Sequence, residues 1–497
     1  MEELFNELFI FEMANNHQGS IEHGITIIKE MGKIARQCNI KAAVKLQYRN
    51  LDSFIHPNYK GNKNVKHIER FESTRLTYEQ FCELVDAIRD EGLIPISTPF
   101  DEAGVEWCVC QGLEIIKIAS CSAMDWPLLA QAAKTHKPLI VSTGGKSISD
   151  IDKIYSFLIH RNVQFAFMHC VAEYPTPEEH IQLDFIDKMK KRYYKIPIGY
   201  SGHEEPDNIL IPSLATAKGV RLFERHVGVS TDIIKLNPYT MNPDQTYSWI
   251  EAIKRASDIC KLKERGNKYI SQNELDSLRS LMRGTYARKT LEINETLENE
   301  KVFFAMPCVE NQMTSGEYYE GCMCTKAYAQ NDAVFERKKY TDINVARNVI
   351  HEVKGMLYEA GIILNSDVEV ELSHHYGIKQ IRQFGATIIN IINREYCKKI
   401  IVVLPGQVHP RHMHKQKEET FQILYGNMEL ELGNEKKVLS AGDIQTVGRG
   451  QIHSFSSEQG VIFEEISTTH IKNDSYYEDA QIASQDPIER KTYIKDW

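Results

Sequence analysis

The chain has 497 residues, 42% of them hydrophobic and 26% charged, with a formal net charge of −9. That length exceeds what one core supports and implies roughly two to four domains. The acidic balance, without a basic stripe, excludes a nucleic-acid binder. No leader segment opens the chain and no apolar run of about 18 residues could cross a membrane, so the expected location is the cytoplasm. The 11 cysteines are scattered, with two C-x-C pairs (Cys108/Cys110 and Cys322/Cys324) and no paired C-x-x-C sets at zinc spacing. They read as reduced thiols.

Eight short apolar runs follow one another: Leu8–Ala14, Ala42–Gln47, Ile94–Phe100, Ile115–Ser120, Leu139–Gly144, Phe165–Cys170, Pro197–Gly202 and Arg221–Val227. Stretches of helical period separate them, including Ile21–Cys38, Thr77–Glu91 and Asp101–Gln111, and a helix Tyr247–Cys260 closes the series. Strand then helix, eight times over, predicts a (β/α)8 barrel with its site at the carboxyl ends of the strands. His203 and His226 stand just past the seventh and eighth runs. Neighbouring strands lie about 4.8 Å apart, so two imidazoles there can share one metal ion at about 2.1 Å each. The bland alternative is a pair of hydrogen-bonded core histidines.

Polar residues mark the same end of the other strands: Glu12, Lys45 and Gln47, Ser97, Lys117 and Ser120, Ser142, and His169. Buried lysine and glutamate are costly without a partner, so their repetition argues for a ligand. Lys45, Lys117, Ser120 and Ser142 suit an anion carrying phosphate and carboxylate. The alternative is that both lysines pair with Glu12 and other carboxylates inside the barrel. Glu224 shares a strand face with His226, and Glu12 on strand one adjoins strand eight once the barrel closes. Glu12 is placed to transfer protons or to hold an attacking water.

In chain order stand Glu12-Met-Ala-Asn-Asn16-His17-Gln-Gly19, Lys45-Leu-Gln47, Ser97-Thr-Pro-Phe-Asp101, Lys117-Ile-Ala-Ser120, Ser142-Thr-Gly144, His169-Cys170, Tyr174-Pro175-Thr-Pro177, Gly199-Tyr-Ser201-Gly-His203, Glu224-Arg-His226 and Asn242-Pro-Asp244. This string resembles the N-acetylneuraminate (sialic acid) synthase family across the whole barrel. The resemblance implies condensation of phosphoenolpyruvate with the open-chain aldehyde of an N-acylated amino sugar, releasing phosphate and a nine-carbon 2-keto acid. It implies that His203 and His226 hold Mn2+ or Mg2+, and that Lys45, Lys117, Ser120 and Ser142 hold phosphoenolpyruvate. Gln47, Tyr174, Ser201 and Asp244 would line the substrate pocket, and Glu12 would manage protons and water. The chain departs from the family pattern at Ala172, at Gly202 (aspartate in the usual Ser-Asp-His), at Gly145 and at Gln245, which shifts the acceptor pocket rather than the chemical centre.

Residues 1–265 are assigned to this synthase barrel, with a charged linker at Lys261–Lys268. By position, and through Arg279-Ser280-Leu281, residues 270–337 resemble the small antifreeze-like (SAF) β-clip domain. In the family that module is swapped across a homodimer. Met306 stands where the family has an arginine, so that arginine's role is not carried over. Residues 338–375 read as a helical linker, 376–470 as an all-β module and 471–497 as a polar tail.

In that all-β module, Gly406-x5-His412-x-His414-x4-Glu419-x6-Gly426, followed by Gly442, Gly450 and His453, resembles the two cupin motifs. The resemblance implies a divalent transition metal on His412, His414, Glu419 and His453, with His409 and Arg411 adding basic character. A metal-free cupin whose histidines bind a sugar is the alternative. The fold class is therefore α/β, a TIM barrel followed by a small SAF module and a cupin barrel. The expected activity is that of a nonulosonic acid synthase, with a legionaminate- or pseudaminate-type synthase using a 2,4-diacetamido sugar as its nearest variant. A Schiff-base aldolase using Lys117 and a non-catalytic sugar-sensing protein are the competing classes.

Overall fold

The computed structural model describes residues 2–261, 268–336, 341–365, 367–495 and 497. The chain forms two compact units, 1–261 and 262–497. The predicted linker falls largely at 262–267, outside the described residues. No helix among the described residues is long and apolar enough to cross a membrane. All 11 cysteines are unpaired.

Unit one is a closed parallel barrel of β1 (Leu8–Glu12), β2 (Lys41–Tyr48), β3 (Ile94–Pro99), β4 (Ile115–Ile118), β5 (Leu139–Ser142), β6 (Phe165–Cys170), β7 (Ile198–Gly202) and β8 (Leu222–His226). Closure is direct: β1 pairs with both β2 and β8. All eight predicted runs become strands. Alternation along each strand sorts the core into two layers. Leu8, Ile10, Ala43, Ile96, Ile115, Ile140, Ala166, Met168 and Leu222 form one cluster. Phe9, Phe11, Val44, Leu46, Phe167 and Phe223 join the larger cluster built with the surrounding helices. Continuing the first set by twos toward the carboxyl ends reaches Glu12, Lys45, Lys117, Ser142, Glu224 and His226. The interior thus runs from apolar floor to charged mouth. Ser97 and His169 fall on the other parity, with Ser97 Oγ donating to Leu46 O at 3.2 Å and His169 Nε2 to Ile181 O at 2.7 Å. They are packing groups, contrary to their expected place in the mouth.

Unit two opens with a helix, Gln272–Leu281, capped by Ser271. Sequence reading expected little helix here. Leu275, Leu278 and Leu281 are all exposed, so the helix lacks the buried stripe that would have announced it. Then β9 (Gly284–Ala287) and β10 (Val302–Ala305) pair antiparallel, around a small core including Ala287, Leu291, Leu297, Val302, Met313 and Val334.

The remainder is one curled antiparallel sheet. Its strands are β11 (Glu369–His374), β12 (Gly385–Asn393), β13 (Tyr396–Val403), β14 (Val408–Met413), β15 (Glu419–Leu432), β16 (Glu435–Ser440), β17 (Ile444–Val447), β18 (His453–Ser456), β19 (Val461–Thr468), β20 (Tyr476–Tyr477) and β21 (Lys491–Ile494). They run in the order β20-β14-β18-β15-β19-β13-β12-β11-β21, with β16 and β17 also on β15. Two expectations are corrected here. The segment 338–375 is more than a linker: helix Asp342–Glu359 buries Val349, Ile350, Val353 and Leu357 against Val370, Leu372, Ile400 and Val402, and β11 belongs to the sheet. Nor is 471–497 a free tail, because β20 pairs with β14 and β21 with β11. Its polar composition conceals buried anchors at Asp474 and Ile482.

Candidate functional site

At the barrel mouth the charged residues form one buried network. Glu12, Lys45, Lys117 and Glu224 are each at most 5% exposed. Lys45 Nζ contacts the Glu12 carboxylate, lies 3.7 Å from Glu224 Oε1 and donates to Thr98 Oγ1 at 3.0 Å. Lys117 Nζ donates to both Glu224 oxygens at 3.0 Å, and Ser201 Oγ donates to Oε1 at 3.1 Å. The lysines therefore pair with carboxylates, as the alternative reading held. Burial pulls the Lys45 ammonium down to about 7, with Glu224 opposing. Burial pushes Glu224 up, but Lys117 and Lys45 outweigh it and hold the carboxyl at about 2. A Lys117 ammonium held on both oxygens of Glu224 is poorly placed to be a Schiff-base nucleophile.

His203 and His226 meet across β7 and β8 with ring centroids 5.5 Å apart. His203 Nδ1 donates to Val171 O at 2.9 Å, which fixes the tautomer and leaves the Nε2 lone pair free. Burial lowers His203 to about 4 and His226 well below its ordinary value, so both rings are neutral. Two neutral imidazoles beside Glu12 and Glu224 are a donor set that fits a hard divalent cation.

That lowered affinity for a proton has a measurable consequence. Between pH 6.5 and about 4 the unfolded chain protonates His203 before the folded chain does. Stability should therefore be full above pH 6.5 and decline as pH falls toward 4, by roughly 3 kcal/mol from this group. Urea unfolding of chelator-treated protein across that range is the check, and a flat stability profile would contradict it.

Of the other expected residues, Gln47 and Tyr174 touch this centre. Gln47 Nε2 donates to Glu12 Oε1 at 3.3 Å, and Arg49 Nη2 to Gln47 Oε1 at 2.8 Å. Ser120 Oγ accepts from the Gly144 N–H at 3.0 Å and lies 3.1 Å from Cys170 Sγ. A Cβ on Gly144 would meet that Oγ at 2.8 Å, so the close approach requires glycine. Ser142 is buried at the end of β5. Tyr174 packs its ring 4.3 Å from His203. Asp244 is exposed in the first turn of helix Pro243–Cys260, which Asn242 caps.

Three residues escaped the sequence reading. Tyr239 lies 5.0 Å from the His226 ring and 5.3 Å from Tyr174. It is brought there by a loop tied back through Met241 N–H to His226 O at 2.9 Å. Glu204 and Arg225 form a fully buried ion pair at 2.8 Å, each 1% exposed. Arg225 also donates to Glu204 O at 2.8 Å, and Tyr200 OH to Glu204 Oε2 at 2.9 Å. A Cβ on Gly202 would lie 2.4 Å from the Glu204 carboxylate. Gly202 thus leaves room for a carboxylate supplied two residues later, directly after His203. Arg225 directly precedes His226, so this one pair clamps the segments carrying both histidines.

A second centre lies inside the antiparallel sheet. One ring nitrogen from each of His412, His414 and His453 lies within 4.8 Å of the others, and all three residues are buried. Their Nδ1 groups donate to the carbonyls of Pro410, Asp474 and Gln451 at 3.0, 2.7 and 3.1 Å, so each Nε2 keeps its lone pair. Burial and the neighbouring histidines keep His412 neutral. Glu419 Oε2 and His453 Nε2 are buried, make no hydrogen bond and face each other at 3.2 Å. These orphaned atoms are what a cation would satisfy. Glu419, however, also touches Lys417 Nζ, which lies 3.0 Å from Glu465. The three histidines form the tighter donor set, and Glu419 is shared. His412→Ala is expected to remove one metal equivalent per chain by elemental analysis, and Glu419→Gln to lower affinity by about 10–100-fold without removing the metal.

The profile described as NeuB family matches residues 32–264, and that of the cupin domain residues 399–463. An uncharacterised protein of Methanocaldococcus jannaschii is 30% identical over 304 residues, spanning 60% of this chain and 84% of its own. The chain belongs to the NeuB family. A solved structure of spore coat polysaccharide biosynthesis protein E (a name given by inference) from Chromobacterium violaceum is 43% identical with a TM-score of 0.64. It covers 66% of this NeuB-family chain and 97% of that one. The pseudaminic acid synthase of Campylobacter jejuni (serotype O:2) is 27% identical over 308 residues, 60% of this chain and 86% of its own.

Proposed function

We propose that the barrel is a nonulosonic acid synthase, joining phosphoenolpyruvate to the aldehyde of an N-acylated amino sugar and releasing phosphate. The observation that carries this reading is the convergence of Glu12, Lys45, Lys117 and Glu224 with two neutral histidines at one barrel mouth. The name of the Campylobacter jejuni relative supports the same product class.

In this reading Lys45 and Lys117, with Ser120 and Ser142, take the phosphate and carboxylate oxygens of phosphoenolpyruvate, exchanging Glu12 and Glu224 for substrate. His203 and His226 would hold Mn2+ or Mg2+, which when bound supplies polarisation of the sugar carbonyl. The methylene carbon of phosphoenolpyruvate forms the new C–C bond to the aldehyde carbon. Water then adds at the former C2, and the C–O bond breaks to expel phosphate. Glu12, released from Lys45, is placed to accept the proton of that water. One of the water's two protons passes by way of Glu12 to the former aldehyde oxygen, and the other leaves with phosphate as C2 becomes the keto carbon. Gln47, Tyr174 and Asp244 face the acceptor, and Tyr239 joins them.

The deciding measurement is phosphate release from phosphoenolpyruvate with Mn2+ across N-acetylmannosamine and 2,4-diacetamido trideoxy hexoses. Release with one sugar, abolished by chelator, is the expected result and identifies the acceptor. Silence with every sugar would remove the synthase reading.

A further inference from the structure

Among the described residues, sixteen buried side-chain nitrogen and oxygen atoms make no hydrogen bond, and seven of them lie together inside the cupin sheet. They are both ring nitrogens of His375, Nδ1 of His409, Nε2 of His453, Oε2 of Glu419, and Nε and Nη1 of Arg490. The His453 and Glu419 atoms belong to the metal centre described above. The other five do not: His409 is next to the centre, and His375 and Arg490 connect to it through the His409 and Tyr477 rings. The His409 ring lies 4.6 Å from both His375 and His412. The Tyr477 ring lies 5.0 Å from His375 and 5.3 Å from His412, and the Arg490 guanidinium stands 4.8 Å over that tyrosine.

Charge makes the cluster more telling. The buried ammonium of Lys417 is matched by Glu419 and Glu465, and Lys491 by Glu371 at 2.9 Å. Arg490 is 7% exposed and has no carboxylate at ion-pair distance among the described residues. A buried guanidinium without a counter-charge is strongly disfavoured.

We propose that Arg490, His375 and His409 form an oxyanion subsite beside the three-histidine centre, and that its ligand is a small 2-hydroxy or 2-keto carboxylate. A guanidinium matches a carboxylate in geometry and charge. Each neutral imidazole adds one N–H donor. A metal held by the three imidazoles would accept further oxygen donors, which the neighbouring hydroxyl or keto oxygen could supply. The sugar acid proposed as the barrel's product belongs to this class, a link that rests on the synthase reading.

The test uses the full chain carrying His226→Ala, to disable the barrel centre, loaded with Co2+. It is titrated with pyruvate, N-acetylneuraminic acid and inorganic phosphate, followed by calorimetry and by the visible cobalt spectrum. Both acids should bind and shift the spectrum. Arg490→Gln and His375→Ala should each weaken them at least 10-fold while cobalt content stays constant. No binding of either acid, unchanged affinity in the variants, or phosphate binding as tightly as the acids would each overturn the subsite. If Arg490→Gln loses its cobalt and circular dichroism signal, His375→Ala decides alone. Phosphate release by the barrel-intact chain is scored separately. Acid binding without phosphate release keeps the subsite and removes only its link to the barrel's product.

Discussion

Replacing His226 by alanine is expected to reduce phosphate release by more than about 100-fold, beyond the loss usual for a group that merely supports a metal ligand. His226 stands partly buried at the mouth, its neighbour His203 is 5.5 Å away, and Glu12 stands opposite it in the β1–β8 register. Alanine leaves one imidazole where two converge, so in the proposed reaction the sugar carbonyl would lose its polarisation while both lysines stay in place. The cupin centre, built on different strands from His412, His414 and His453, should retain its metal in full. Elemental analysis and phosphate release on the same preparation give both numbers. An equal loss of phosphate release from His412→Ala would show that the two centres are not chemically separate.

The second large effect concerns folding stability. Glu204→Ala would strand Arg225 at 1% exposure with only the carbonyls of Glu204 and Glu205 for partners. Removing one member of a buried ion pair costs about 3–5 kcal/mol. For a barrel of this size that corresponds to a drop of roughly 10 °C in melting temperature. Adding Arg225→Leu removes the orphaned charge and should recover part of the loss. A single variant melting within about 2 °C of the parent would dismiss the clamp. Metal binding to the barrel should weaken alongside, because the pair flanks both histidines.

The pattern of what was legible in the chain follows from the kind of signal each residue carries. His203, His226, Lys45 and Lys117 could be placed because a strand's period of two turns a position into a direction. Glu204 and Arg225 sit beside the histidines in sequence, yet polar residues at strand ends read as loop until closure brings two such ends together. Tyr239 depends on a loop folding back through one backbone hydrogen bond, which no periodicity encodes. Tyr477 and Arg490 lie in a stretch whose acidic, polar composition describes its solvent face and hides the few side chains that hold it. Helix Gln272–Leu281 shows the converse, since its leucines are exposed and follow no burial rule.

Asp474 has a consequence for how the molecule is made. Its carboxylate accepts from the backbone N–H groups of Lys415, Gln416 and Lys417, and its carbonyl accepts the Nδ1 proton of His414. A ribosome delivers His226 long before it delivers Asp474, which lies 248 positions further on. At about 5–20 residues per second that interval lasts roughly 12–50 s. The barrel's sequence is therefore complete while the loop bearing His414 still lacks its organiser. A metal held by the three cupin histidines would have to await the last stretch of chain.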